Sequence, residues 1–193
     1  MMPTTDLIVA VVGGMLVAGA AVVGWRRWRI IARRRAEVRS VLSVGCDALR
    51  DVLVPDGAGG ALHADFLLLT GRGILVIDLR DVAGVIFGSE HMTDWTVMNR
   101  THRSTFPNPL SALYDRIAAV KLTSGESAVE GRIVFTDQAH FPKGRPPQVT
   151  LLSSLLADFP VEGREAAAIA AERWRAGWDR LKAECTPSPL ARP

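Results

Sequence analysis

Two acids and an arginine stand in the stretch His63–Arg80, HADFLLLTGRGILVIDLR, at a spacing that suits chemistry. Asp65 lies near the start of one apolar run and Asp78 near the end of a second, with Gly71-Arg72-Gly73 between them. Glycine tolerates the positive φ of a tight hairpin turn, so the stretch reads as two strands folded back on each other. With Thr70 paired to Gly73, the register sets Asp65 opposite Asp78, and directly opposed residues have Cβ atoms about 4.5–5.5 Å apart. Asp78 and Arg80 are two apart and share a strand face. Two carboxylates and a cation then converge in an otherwise apolar sheet, where folding has no need of charge. Two readings are open: a solvated structural Asp–Arg pair at a strand end, or a seat for a hard divalent cation. Such a cation takes carboxylate oxygens and keeps several waters. From there it activates a water and steadies a phosphoryl-transfer transition state. His63 either orients Asp65 or caps the strand.

The elements that would position this hairpin follow from pattern. Ile30–Leu53 reads as helical, with Val38, Val41, Leu42, Leu49 and Val52 on a broken apolar face and Gly45 dividing it. Residues 55–60, PDGAGG, form a loop. Val82–Phe87 is a third strand, and Trp95–Met98 with Arg103–Phe106 forms a peripheral hairpin. Lone histidines there, His91 and His102, read as surface residues. Asn108 is an N-cap followed by proline at the first helical position. Leu110, Leu113, Tyr114, Ile117 and Val120 recur at helical spacing behind it. Gly131–Thr136 is a strand beside the central pair, Gln148–Leu151 another, and Ser153–Phe159 a short helix capped by Ser153. Glu162–Glu184 is a last helix whose stripe of Ala166, Ala170, Trp174, Trp178 and Leu181 packs on the domain. The expected class is α/β, a mixed β-sheet flanked by helices.

The hairpin, then Gly84–Ser89 (GVIFGS), Trp95, Asn108–Leu110 (NPL) and Arg132–Asp137 (RIVFTD) occur in this order at suitable spacing. Together they resemble the nuclease-related domain (NERD) family over roughly Glu37–Phe159. That family is similar to the restriction-endonuclease-like fold, whose active-site pattern is an acid followed by Asp/Glu-x-Lys. The resemblance implies Asp65 as the first acid, Asp78 as the second, Arg80 at the lysine position, and Glu37 as the glutamate of the first helix. It also implies Mg²⁺ or Mn²⁺ held by Asp65 and Asp78, and nucleic acid as the substrate. Two departures point to a weakened or inactive site. Arginine stays charged, so Arg80 cannot act as a base as a desolvated lysine can. Ala112 stands where the family carries a glutamine, and a methyl group cannot replace an amide's hydrogen bonds.

Ahead of this domain, Leu7–Gly24 is eighteen residues without a charge. At about 1.5 Å rise each it nearly spans a hydrocarbon core of about 30 Å. Trp25 and Trp28 follow as an aromatic belt, then Arg26, Arg27, Arg29, Arg33, Arg34 and Arg35. The positive-inside rule sets the arginine side in the cytoplasm and the short N-terminus outside, as a single-pass protein of the inner or plasma membrane. A cleaved signal would carry its charge before the apolar run, so an uncleaved anchor is expected. Ala10, Gly14 and Ala18 sit at a spacing that lets helices pack closely, though small residues are common in spans. The formal charge is +3; residues 26–39 carry +6 and residues 1–25 carry −1, which leaves −2 for residues 40–193. The basic balance therefore faces anionic lipid headgroups through Arg26–Arg35, and the domain itself is slightly acidic, unlike most nucleic-acid binders. Arg100, His102 and Arg103 are one local basic cluster. Two cysteines, Cys46 and Cys185, carry no metal spacing and suit a reducing compartment. The expected organisation is an anchor (1–25), a basic juxtamembrane segment (26–36), the NERD-like domain (37–160), a C-terminal amphipathic helix (161–185) and a disordered tail (186–193).

Overall fold

The computed structural model describes residues 4–159 and 164–189, with the side chains of the first helix described at 19 and from 21 onward. The chain divides into two compact units, Met1–Arg39 and Ser40–Pro193. The described residues of the first, 4–39, are helical and belong to α1 (Thr4–Leu42). Among the described residues no helix is long and apolar enough to cross a membrane. Most of the Leu7–Gly24 run expected to do so, with Ala10, Gly14 and Ala18, lies outside the described side chains. Val22 and Val23 near its end, and Trp25, Trp28, Ile30 and Ile31 after it, are exposed.

The second unit is a mixed α/β fold built on a six-stranded sheet. Its strands are β1 (Asp47–Pro55), β2 (Ala61–Thr70), β3 (Gly73–Arg80), β7 (Val129–Phe135), β9 (Val149–Leu151) and β10 (Thr186–Pro187), in the order β10-β1-β2-β3-β7-β9. The central hairpin is as expected, with Thr70 paired to Gly73 and the ladder running to Phe66 and Ile77. Thr70 Oγ1 donates to the Gly73 carbonyl at 2.9 Å and closes the turn. Gly73 has φ +126, and a Cβ there would run into the Ala128 backbone. β7 lies beside β3, as expected, and runs parallel to it; β9 runs parallel beside β7. The β2 and β3 residues are buried on both faces, which explains their nearly unbroken apolar runs.

A second sheet holds β4 (Gly84–Phe87), β5 (Asp94–Asn99), β6 (His102–Pro107) and β8 (Ala139–His140), in the order β6-β5-β4-β8. The peripheral hairpin is therefore real, but the strand after the central hairpin belongs to this sheet rather than to the main one. Trp95 joins the two: its ring stacks on Phe135 at 6.3 Å and tilts against Phe106 at 6.0 Å. Helix α2 (Pro109–Ser124) begins as expected, with Asn108 Oδ1 accepting from the Leu110 N–H at 3.0 Å. Asn108 Nδ2 also donates to the carbonyls of Ser89, Glu90 and Met92, so the cap ties the loop before β5 to the helix start. α2 packs on the sheet so closely at β7 that a Cβ on Gly131 would stand 2.6 Å from Ile117 Cδ1 and 2.9 Å from Leu113 Cδ1.

Four expectations are corrected. The helix expected through Leu53 ends at Leu42, and residues 47–55 are β1, paired antiparallel with β2. Val52 and Val54 alternate with less buried neighbours there, and the segment covers an edge that β2 would otherwise leave open. The short helix α3 (Leu152–Asp158) starts at Leu152, and Ser153 is not its cap; its hydroxyl donates to Asp137 instead, at 2.7 Å. The last helix is broken into α4 (Arg164–Ala171), a 3₁₀ turn (Glu172–Trp174) and α5 (Arg175–Glu184). Trp178 and Leu181 are buried as expected, but Ala171 rather than Ala170 faces inward: Ala171, Trp174, Trp178 and Leu181 follow one another at three- and four-residue steps, whereas repeated steps of four from Trp174 back to Ala170 and Ala166 drift off that face. Thr186–Pro187, expected in a disordered tail, pair with Leu53 and Val52 as β10, and Ser188 N–H donates to the Asp51 carbonyl at 2.8 Å. Residues 160–163 and 190–193 lie outside the described ones.

Candidate active site

Asp65 is the one position in β2 where both neighbouring strands let go. The β1–β2 ladder pairs Arg50 with Phe66 and Val52 with Ala64, and skips the step between them where Asp51 stands against Asp65. The β2–β3 ladder stops at Phe66–Ile77, one step short of Asp65 opposite Asp78. β3 continues on β7 alone, pairing Asp78 with Ile133 and Arg80 with Phe135. The Leu79 N–H, freed from any ladder partner on β2, donates to Asp65 Oδ2 at 3.0 Å. Asp51 adopts φ +50, a left-handed conformation uncommon outside glycine and tolerated best by Asn and Asp.

The face that carries Asp65 and Asp78 also carries Leu67, Leu69, Ile74 and Val76 of the core, and α2 covers it. Asp78 is buried, with its side chain 5% exposed. Its Oδ2 accepts from Arg80 Nη2 at 2.7 Å and from Arg116 Nη1 at 3.4 Å. Arg116 comes from α2 and is held by a second bond, Nε to the His63 carbonyl. His63 lies between two acids, with Nδ1 3.5 Å from Asp65 Oδ1 and Nε2 3.8 Å from Asp51 Oδ1. Burial pushes the Asp65 carboxyl above its usual value, and the charge and hydrogen bond of Asp78 push it the same way; the Leu79 N–H and His63 only partly oppose this. Among the described residues, two buried nitrogens of these side chains have no hydrogen-bond partner, His63 Nε2 and Arg80 Nε.

The fold thus brings together three of the residues singled out in the sequence, Asp65, Asp78 and Arg80. Glu37 belongs to the helical unit, where its carboxylate accepts from Arg33 Nε at 2.8 Å. Two residues of the cluster were not singled out. Asp51 was hidden because its segment read as helix, so no strand register was available to bring it to Asp65. Arg116 had a usable signal: it lies four residues after Ala112, on the same face of α2.

Oxygen donors on Asp65 and Asp78 suit a hard divalent cation, which needs only one or two carboxylates besides water. Burial first and the Asp78 charge second raise the Asp65 carboxyl, and a cation would relieve the second of these. Among the described residues no group of three or more His, Cys, Asp or Glu side chains is arranged to hold a metal ion, so a cation here would rest on the pair. The pair fits such an ion in donor type. In charge it is already partly satisfied by two guanidinium groups.

Residues 31–136 match the family described as the nuclease-related domain. Searches of curated proteins and of solved structures gave no match.

Proposed function

This chain belongs to the nuclease-related domain (NERD) family, and on that premise we propose that it hydrolyses phosphodiester bonds of nucleic acid, slowly, at the Asp65–Asp78 pair with Mg²⁺ or Mn²⁺ bound. The observation that carries this reading is the double release of β2 at Asp65, which sets its carboxylate against that of Asp78 where burial disfavours the Asp65 charge. Such an arrangement opposes folding and is found where a site needs perturbed acids. When bound, the cation supplies Lewis acidity: it lowers the pKa of the attacking water and offsets charge on the scissile phosphate. The chain's own residues do the rest. Leu79 N–H fixes the Asp65 carboxylate. Arg80, whose Nε has no partner among the described residues, offers a charge-assisted donor to a phosphate oxygen and stabilises charge developing there. It cannot take a proton, so the water has no lysine-type base, and the rate is low.

A second reading, a non-catalytic module that binds nucleic acid or protein, is favoured by the two guanidinium groups already on Asp78 and by the methyl group at Ala112. The two are separated by restoring the lysine. The full chain in detergent is incubated with single- and double-stranded DNA and RNA, with Mg²⁺, Mn²⁺ or chelator. Arg80→Lys is expected to raise metal-dependent cleavage by about 10²-fold, the scale of general acid–base catalysis. A reverted protein that cleaves none of these substrates would assign the fold to binding alone.

The helical unit supports a place for this activity. Trp25, Trp28, Ile30 and Ile31 are exposed among arginines, with the Arg29 guanidinium 4.8 Å from the Trp25 ring centroid. Apolar rings beside cations suit a bilayer interface with anionic headgroups. The chain is therefore read as a single-pass protein of the inner or plasma membrane with its α/β unit in the cytoplasm. Alkaline carbonate extraction of membranes is expected to leave it in the pellet, and release into the supernatant would count against the anchor.

A further inference from the structure

Asp78 is an acid at the centre of the cluster whose one oxygen, Oδ2, is shared by two arginines from different elements. The two contacts are unequal. Arg80, on the same strand, approaches to 2.7 Å, whereas Arg116 stands at 3.4 Å, a stretched bond. Arg116 does not need that bond to keep its place, because its Nε is held by the His63 carbonyl and its backbone by α2. Its side chain is only 18% exposed, so its charge is poorly screened by solvent. A guanidinium so placed has two consequences. It disfavours a divalent cation on Asp78, since like charges a few ångströms apart in a shielded site repel strongly. It also presents the fork of donors that matches a phosphate. Arg80 Nε, buried and without a partner among the described residues, is independent support for an acceptor in this place.

We infer that Arg116 is a latch on the carboxylate pair: in the free protein it holds Asp78 and keeps the cation seat weak, and a nucleic-acid phosphate draws it off and strengthens that seat. The inference rests on the nuclease reading above and adds an order of events to it, in which substrate anion and cation bind cooperatively. Arg116 then acts on the cation through Asp78 and on the nucleic acid through its own guanidinium. Reciprocity follows, since an anion that raises cation affinity must have its own affinity raised by the cation in equal measure. Neither α2 nor the strands need to move, because only the longer of the two contacts is exchanged.

The test is Mn²⁺ binding to the full chain in detergent, followed by the loss of the free Mn²⁺ paramagnetic signal. It is run with and without a phosphorothioate oligonucleotide that resists cleavage. In the wild-type protein the oligonucleotide is expected to tighten Mn²⁺ binding by about tenfold. Arg116→Gln, which removes the charge, is expected to bind Mn²⁺ about as tightly without the oligonucleotide as the wild type does with it, and to gain nothing further from it. Arg116→Lys keeps the charge and should stay weak without the oligonucleotide, which separates the latch from a general loosening of the fold. Equal Mn²⁺ affinity in wild type and Arg116→Gln, with binding lost in Asp78→Ala, would overturn the latch and leave the carboxylate seat standing. Binding that Asp78→Ala leaves unchanged in all of these proteins would overturn the seat itself, and the latch with it.

Discussion

Replacing Asp65 by asparagine is expected to make the protein more stable at neutral pH, although it removes a residue placed in the site. Asparagine keeps an oxygen for the Leu79 N–H, so the one hydrogen bond that anchors the side chain survives. What is lost is a carboxylate whose ionisation burial and Asp78 both oppose. Two unit charges about 5 Å apart at an effective dielectric near 20 repel by about 3 kcal/mol. Arg80 and Arg116 offset much of the Asp78 charge, and the Asp65 side chain is 30% exposed. Screening on that scale leaves about 1 kcal/mol of net gain, or a rise in Tm of about 3 °C for a unit of this size. The pH dependence has a fixed sign. The folded-state carboxyl of Asp65 titrates above its ordinary value, so the folded protein binds that proton more tightly than the unfolded chain. Its contribution to stability is therefore greatest at low pH and is lost as pH rises through the raised value. Urea denaturation of wild type and Asp65→Asn, read by tryptophan fluorescence, should show the gain at pH 7 and little difference near pH 3.5, where both side chains are neutral. A variant that is less stable at pH 7, or a difference that is the same at both pH values, would refute the like-charge account of this pair.

Three further substitutions probe how the site is held. Asp47 Oδ2 accepts from the Trp178 indole N–H at 2.8 Å and from Lys182 at 3.2 Å; burial opposes its charge, but these donors and the Ala48 N–H outweigh it and hold its carboxyl below the usual value. Asp47→Ala leaves the buried indole N–H unpaired and should cost about 1–3 kcal/mol above pH 4 in urea denaturation, shrinking as pH falls through the lowered value. Asn108→Ala removes the α2 cap and the Nδ2 amide that donates to the three loop carbonyls of Ser89, Glu90 and Met92, and should cost about 2 kcal/mol by the same measurement. Gly131→Ala forces Ile117 and Leu113 away from β7 and should lower stability by about 1–3 kcal/mol; an unchanged denaturation midpoint would show that α2 has room to retreat.

The central hairpin was legible because its turn chemistry and its two long apolar runs agree on one register. Thr70 and Gly73 fix it, and the opposition of Asp65 and Asp78 follows by counting. The α2 start was legible for a similar reason, since Asn108-Pro109 is a local signal that needs no tertiary partner. β1 was not legible. Its residues, DALRDVLVP, mix helix formers with a short alternating run, and what decides the matter is the free edge of β2, a non-local fact. Asp51 was lost with it. β10 was missed for the same reason: two residues of a polar tail become a strand only because β1 offers them an edge. Nothing in the helical spacing announces the 3₁₀ turn at Glu172–Trp174, whereas the inward place of Ala171 was open to a step of three back from Trp174. Arg116 reaches Asp78 only because α2 lies against β7 at Gly131, a closeness that the glycine permits but does not by itself reveal.

The most direct test of the central claim, that the Asp65–Asp78 pair hydrolyses phosphodiester bonds, compares wild type with Asp78→Ala. Both full chains are held at high concentration with labelled single- and double-stranded DNA and RNA, with Mn²⁺ or with chelator. The account predicts slow cleavage of at least one substrate that needs the metal and disappears in Asp78→Ala. Equal background in the two proteins on every substrate, with both folded, would contradict it.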